Sequence, residues 1–209
     1  MPSFVPASSR DVASDSSHSA PSSDSSPSDA ELLAKARDGN QWAFKRLVER
    51  YEDQVAATVV GMLGPGPEAD DVGQETFIRF YEAMDDFRGE ASLGTYLTRI
   101  AINQSLKALR KRKRWYDRFL SRDDEETFVD EPAVAGGDAV DQTDRSEWIH
   151  RALQELSEHH RSVIVLRLLQ GYSTKETAEV LDVPEGTVMS RLYRATNRLE
   201  DLLGSLIER

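Results

Sequence analysis

Between Thr187 and Arg198 the polar and apolar residues sort cleanly only on a helix. At 100° per residue, Ser190, Tyr193, Arg194 and Asn197 project to one side, flanked by Thr187, Arg191 and Arg198. Val188, Leu192, Ala195, Leu199, Leu202 and Leu206 form a stripe on the other. The polar side carries bidentate donors, hydroxyls, an amide and an aromatic ring, which suit phosphate oxygens and base edges in a DNA major groove. An amphipathic helix with a merely solvated polar face would share this pattern. What precedes it favours DNA. Ser173-Thr174-Lys175-Glu176 is a capping-box pattern opening a short helix, and Asp182-Val183-Pro184-Glu185-Gly186 forces a turn. That is the layout of a helix-turn-helix.

Two further surfaces carry chemistry. Arg110-Lys111-Arg112-Lys113-Arg114 is followed by Trp115-Tyr116. One or two cations at a helix C-terminus complement its dipole, but five in a row exceed that need. They suit a phosphate-tracking surface, with rings able to stack on bases. Upstream, Val72, Thr76, Phe77, Phe80, Ala83, Met84 and Phe87 form one apolar helical face. On its other side Asp71, Gln74, Glu75, Glu82 and Asp85 surround a single large apolar residue, Ile78. Isolated exposed isoleucines are common. Ringed by carboxylates, this one also suits a basic protein partner.

The elements that position these residues read as helical throughout, with no sustained strand alternation. Ser28-Asp29-Ala30-Glu31 caps a first helix, and Asp38-Gly39-Asn40 breaks it and starts a second, about 41–63, closed by Gly64-Pro65-Gly66. Pro67 opens a third, to about residue 87, and a fourth spans about 93–116. Further helices are expected near 145–156, 158–170, 174–181 and 185–207. The expected fold is all-α, with two small helical domains at 29–118 and 145–207. A Ser/Asp-rich tail (1–28) and a flexible acidic linker (119–144) complete the chain.

The 209 residues hold 26 Lys+Arg against 37 Asp+Glu, a net charge of −11. The deficit is local. Residues 122–147 carry ten acids and two bases, whereas 91–116 carry seven bases and no acid. Local fields decide binding, so the acidic total does not exclude nucleic acid. There is no cysteine, hence no disulfide framework and no thiolate site, which fits a cytoplasmic protein. The longest apolar runs, such as Val163-Ile164-Val165-Leu166, are too short to span a bilayer, so no membrane insertion is expected. His18, His150, His159 and His160 lack metal-ligand spacing, and there is no P-loop or Gly-x-Ser-x-Gly. No catalytic site, cofactor or metal is expected.

Together these segments resemble the extracytoplasmic-function (ECF) class of bacterial RNA polymerase sigma factors. The region 2 pattern is carried by Asp38-Gly39-Asn40, Ala43-Phe44, Ala69-Asp70-Asp71-Val72-Gly73-Gln74-Glu75-Thr76-Phe77 and Phe87-Arg88-Gly89-Glu90. It continues in Thr95-Tyr96-Leu97 and Arg99-Ile100-Ala101-Ile102-Asn103. The region 4 pattern is carried by Gly171-Tyr172-Ser173, Glu176-Thr177-Ala178, Gly186-Thr187-Val188 and Ser190-Arg191-Leu192. The resemblance implies that Asp71, Gln74, Glu75, Ile78 and Glu82 dock on the clamp helices of the largest subunit of core RNA polymerase. It implies that the loop bearing Glu90, Ala91, Ser92 and Leu93 holds a flipped base of the −10 element. Asn103 and Arg110, Lys111, Arg112, Lys113 and Arg114 would then follow the −10 strand of promoter DNA. Met189, Ser190, Tyr193 and Arg194 match the positions that read the −35 element. An anti-sigma factor is the further partner implied.

This sequence departs from the family pattern at four places. Gly73 stands where an aliphatic residue is usual, Tyr96 replaces a common tryptophan, Leu93 a common aromatic, and Met189 a frequently basic residue. The competing reading is a stand-alone helix-turn-helix regulator, which would need neither the acid-ringed Ile78 nor the loop after residue 88.

Overall fold

A computed structural model of the chain describes residues 27–120 and 142–207, so the expectations for the Ser-rich tail and the acidic linker fall almost wholly outside the described residues. Several helices begin where the sequence supplies a cap. Helix α1 (Asp29–Arg37) opens on a complete capping box: Ser28 Oγ accepts the Glu31 amide at 3.3 Å, and the Glu31 carboxylate accepts the Ser28 amide at 2.8 Å. Those bonds to Ser28 hold the Glu31 carboxyl below its usual range. Helix α2 (Gln41–Leu63) is capped by Asn40 and stopped by Gly64 at φ 84°. Helix α3 (Pro67–Ala83) has proline in its first turn. Helix α4 (Leu93–Leu120) starts where Ser92 Oγ accepts the Thr95 amide at 3.1 Å. Then follow α5 (Gln142–Gln154), α6 (Glu158–Ile164), α7 (Thr174–Leu181) and α8 (Glu185–Ile207). Among the described residues there is no strand.

Helix α4 runs on to Leu120, past the expected 116, and α5 spans Gln142–Gln154 instead of 145–156; two other expected helices change form before their expected ends. The third was expected to reach residue 87, but it closes at Ala83 into a single 3₁₀ turn, Met84–Asp86. Arg37 of α1 explains the exit: its guanidinium donates to the Met84 carbonyl at 2.9 and 2.5 Å and to that of Phe87 at 2.5 Å. The helix expected over 158–170 is α only to Ile164, after which Val165–Leu169 winds as a π-helix and stops at Gly171, φ 72°.

Helix α2 packs against α1, α3 and α4 around Leu32, Leu47, Val55, Val59, Met62, Phe80, Leu97 and Ile102, all fully buried. Thr58, Thr76 and Ser105 are buried too, and each hydroxyl donates to the carbonyl four residues back at 2.8 Å, so none is left unsatisfied. The short apolar run Val163-Ile164-Val165-Leu166 is the post around which the C-terminal helices gather. Val163 packs with Ala178 and Val188, and Ile164 with Leu153, Leu156 and Ala195. Val165 and Leu166 belong to the apolar cluster of the N-terminal helices. Residues 100° apart point in different directions, so four consecutive buried residues must meet different partners. The two helical units are therefore packed together rather than held apart.

Gly73 lies mid-helix in α3, and a Cβ built there meets nothing within 4 Å. Gly73→Ala is expected to raise stability by about 0.5–1 kcal/mol in urea unfolding, by removing backbone freedom from the unfolded chain.

Candidate nucleic-acid and polymerase interface

The helix-turn-helix is built locally. Ser173 and Glu176 form the second complete capping box, and α7 ends at Asp182, which takes the left-handed conformation (φ 53°) that aspartate tolerates. Pro184 then starts the next helix, its carbonyl accepting the Thr187 and Val188 amides at 2.9 and 3.2 Å. The phase of α8 is the expected one. Val188 and Ala195 are fully buried, and Leu192, Leu199 and Leu202 pack on the C-terminal core. On the opposite side Met189 is 63% and Tyr193 68% exposed. Ser190, Arg194, Asn197 and Arg198 are exposed as well, while Thr187 and Arg191 are half-buried. The Ser190 hydroxyl donates to the Thr187 carbonyl at 3.1 Å, which leaves its lone pairs facing out. Among the described residues no carboxylate forms an ion pair with Arg191, Arg194 or Arg198. Their donors are available.

His160 adds to this face in a way the sequence did not indicate. Its imidazole is held below its usual pKa, first by partial burial and then by the charges of Arg194 and Arg191. His160 precedes Arg191 by 31 residues and Arg194 by 34, and it is the packing of α6 on α8 that joins the two stretches.

The basic run encircles the C-terminal part of α4, all five residues exposed. Arg110 reaches Glu158 at 3.6 Å and Arg112 reaches Glu68 at 3.7 Å, loose surface pairs of little energetic weight. Trp115 and Tyr116 follow as an edge-to-face pair, 5.3 Å between centroids. Asn103 is exposed on the same helix, and Glu90, Ala91 and Ser92 are exposed on the loop before it. Leu93 is set apart from them: it is only 4% exposed, taken into the core as the first residue of α4. The Ser92 hydroxyl is engaged too, meeting the Thr95 hydroxyl at 2.8 Å as well as capping the helix. Arg37, by clamping the carbonyls of Met84 and Phe87, fixes where this loop begins. No local signal marks Arg37 for that task.

On α3, Asp71, Gln74 and Glu82 are exposed around Ile78, itself 53% exposed, while Glu75 is drawn back into an ion pair with Arg79 at 2.7 Å. Tyr81, one turn on and 54% exposed, widens the apolar spot and rests edge-on against Phe44, 5.0 Å away. Its i+3 spacing from Ile78 was the available signal.

The family model for Sigma-70 region 2 matches residues 47–115, and that for Sigma-70 region 4 matches residues 146–199. The ECF RNA polymerase sigma-E factor of Escherichia coli strain K12 is 34% identical over 191 residues, covering 87% of this chain and 97% of that protein. The RNA polymerase sigma-H factor of Pseudomonas aeruginosa is 33% identical over 184 residues, 86% of this chain and 95% of the relative. The chain belongs to the ECF sigma factors. Among solved structures it is similar to CnrH in complex with the cytosolic domain of CnrY, at 30% identity, TM-score 0.60 and coverage of 85% and 97%. It is also similar to the sigma factor RpoE of Bartonella quintana in complex with the anti-sigma factor NepR, at 26% identity, TM-score 0.60 and coverage of 77% and 96%.

As a sigma factor, the chain assigns its surfaces to separate elements: α8 in region 4, and α3 and α4 in region 2. Among the described residues no cluster of His, Asp or Glu could hold a metal, and no helix is long and apolar enough to cross a membrane.

Proposed function

We propose that this sigma factor docks on core RNA polymerase through Asp71, Gln74, Glu75, Ile78 and Glu82. Its region 4 reads the −35 element through Thr187, Ser190, Arg191, Tyr193, Arg194, Asn197 and Arg198. Glu90–Leu93, Asn103 and Arg110–Arg114 handle the opened −10 strand, with Leu93 acting from below as the floor of the loop. The observation that carries the reading is the outward face of α8, where guanidiniums without carboxylate partners stand beside an exposed tyrosine. Desolvating them against phosphate or guanine breaks no existing ion pair. The role is binding and placement, while the chemistry of RNA synthesis stays with the polymerase and the protein works where polymerase and chromosome are. That a related sigma factor was solved with an anti-sigma factor supports a restraining partner of the same kind here.

Reconstituted transcription with core polymerase tests this. Arg194→Ala should lower −35-dependent initiation by about 1–3 kcal/mol with unchanged melting, as expected for a lost guanine contact. Leu192→Ala, which packs on both C-terminal apolar clusters, should instead lower the stability of region 4 by about 2–3 kcal/mol. Absence of promoter-specific transcripts from the wild-type chain with core enzyme would refute the reading. Tight duplex binding by the chain alone would point to a stand-alone regulator.

A further inference from the structure

Met189 is the one departure from the family pattern that falls on α8, and it has no part in the −35 contacts proposed above. It is 63% exposed, and Tyr193, one turn on, is 68% exposed; these are the two most exposed large apolar side chains among the described residues. Four residues apart on a helix, they are neighbours on its surface. They lie about 40° apart around the α8 axis, and Ser190 and Arg194 form a second row about 100° further round. The outward face is thus striped lengthwise, one row apolar and one polar. Gly186, three residues before Met189 on the same side, has no side chain to stand in front of the apolar row.

Exposed apolar surface gains free energy when another apolar group covers it. Two side chains are too small a patch for a stable protein interface, which takes about 800 Å² from each partner. No other large apolar residue on α8 is strongly exposed among the described residues. The pair is also bordered by Arg194, which has no carboxylate partner there. The setting favours DNA. On the base edges of a major groove the one apolar group is the C5 methyl of thymine. Four residues of α8 rise about 6 Å, close to two base-pair steps of about 3.4 Å, so the row can meet methyls on adjacent base pairs. The flexible, polarisable thioether of methionine adapts its shape to such a group. A cation at the same position would follow phosphates, which carry no sequence information directly. We propose that Met189 and Tyr193 read thymine methyl groups in the −35 element, beside the guanine contact of Arg194, and that Met189 is a specificity-determining residue. This deepens the function proposed above and rests on it for the placement of α8 at the −35 element.

Holoenzyme assembled from core polymerase and the full chain is first used to select a preferred promoter from a duplex library randomised over both elements. Each −35 thymine of the selected promoter is then replaced singly by deoxyuridine, which removes the methyl and keeps every hydrogen-bonding group. Competition binding by the holoenzyme compares the duplexes. Replacement at one position, or at two adjacent ones, should weaken binding about fourfold each, the value of one buried methyl group. In Met189→Ala the same replacements should change affinity by less than about twofold, because the partner of the methyl is gone. Met189→Leu keeps an apolar side chain of similar volume and should keep the preference for thymine. Met189→Lys should lose that preference and steepen the salt dependence by adding a phosphate contact. The position is exposed, so all three variants should melt like wild type, which separates a lost contact from a lost fold. Methyl reading is overturned if the selected −35 element holds only G·C pairs, or if uracil binds like thymine at every position. It is equally overturned if uracil costs as much in Met189→Ala as in wild type. Indifference to uracil within a well-defined −35 element would leave the apolar pair to a protein partner and the −35 role of region 4 intact. Failure to select any −35 sequence would instead refute that role, and methyl reading with it.

Discussion

Phe80→Ala is expected to cost region 2 about 3–5 kcal/mol, the largest single loss available in that unit. The ring is 1% exposed, stacks on Phe44 at 6.0 Å and meets Tyr96 edge-on at 6.3 Å, so truncation removes transfer energy and leaves a cavity between α2, α3 and α4. Two residues away on the same helix, Ile78→Ala should change stability by no more than about 0.5 kcal/mol, as for an ordinary surface substitution. Its effect should appear in a competition assay for core polymerase, with a loss above about 1 kcal/mol if Ile78 is an anchor of the docking surface. Urea unfolding and core competition should therefore rank the two variants in opposite orders. Equal rankings would show that Ile78 is not an anchor.

Arg161→Met should destabilise the C-terminal unit by about 2–4 kcal/mol. The guanidinium is 4% exposed and donates to the carbonyls of Gln154 at 2.6 Å and Leu156 at 3.0 Å, to Gln154 Oε1 at 2.6 Å and to Met62. It thus caps the end of α5 and, from another unit, the end of α2. Burial pushes its pKa down to about 10, still well above neutrality, so it remains charged under assay conditions. Methionine fills the volume but leaves the backbone carbonyls in place and unpaired, which is why an apolar substitution is costly here although it is often tolerated when both partners of a buried pair are replaced. Arg161→Lys, with fewer donors and no planar fork, should recover only part of the loss in thermal unfolding. Full stability in Arg161→Met would mean that water takes over the carbonyls.

The legible parts of the molecule share a range of interaction. Capping boxes at Ser28–Glu31 and Ser173–Glu176, the stops at Gly64 and Asp182, and the phase of α8 all depend on groups within about a turn of one another. The exposed Ile78 and the outward Tyr193 followed from the same 3.6-residue period. Leu93 is instructive because the family resemblance of its loop implied a base contact, and the fold takes its side chain into the apolar cluster of the N-terminal helices.

What the residues by themselves determined was the set of helices, their polar and apolar faces, and the positions of the basic and acidic surfaces, since backbone caps and helical periodicity act locally. Tertiary structure decided the rest. It determined that Val163, Ile164 and the pair Val165–Leu166 serve three different clusters, that Gly61 admits a neighbour, that Arg161 is buried, and that His160 feels the charges of Arg191 and Arg194. Tyr172 meets Gln54 across 118 residues of chain and Arg161 meets Met62 across 99. Contacts at such separations arise only when whole amphipathic helices find their partners, and no local pattern encodes which partner that is.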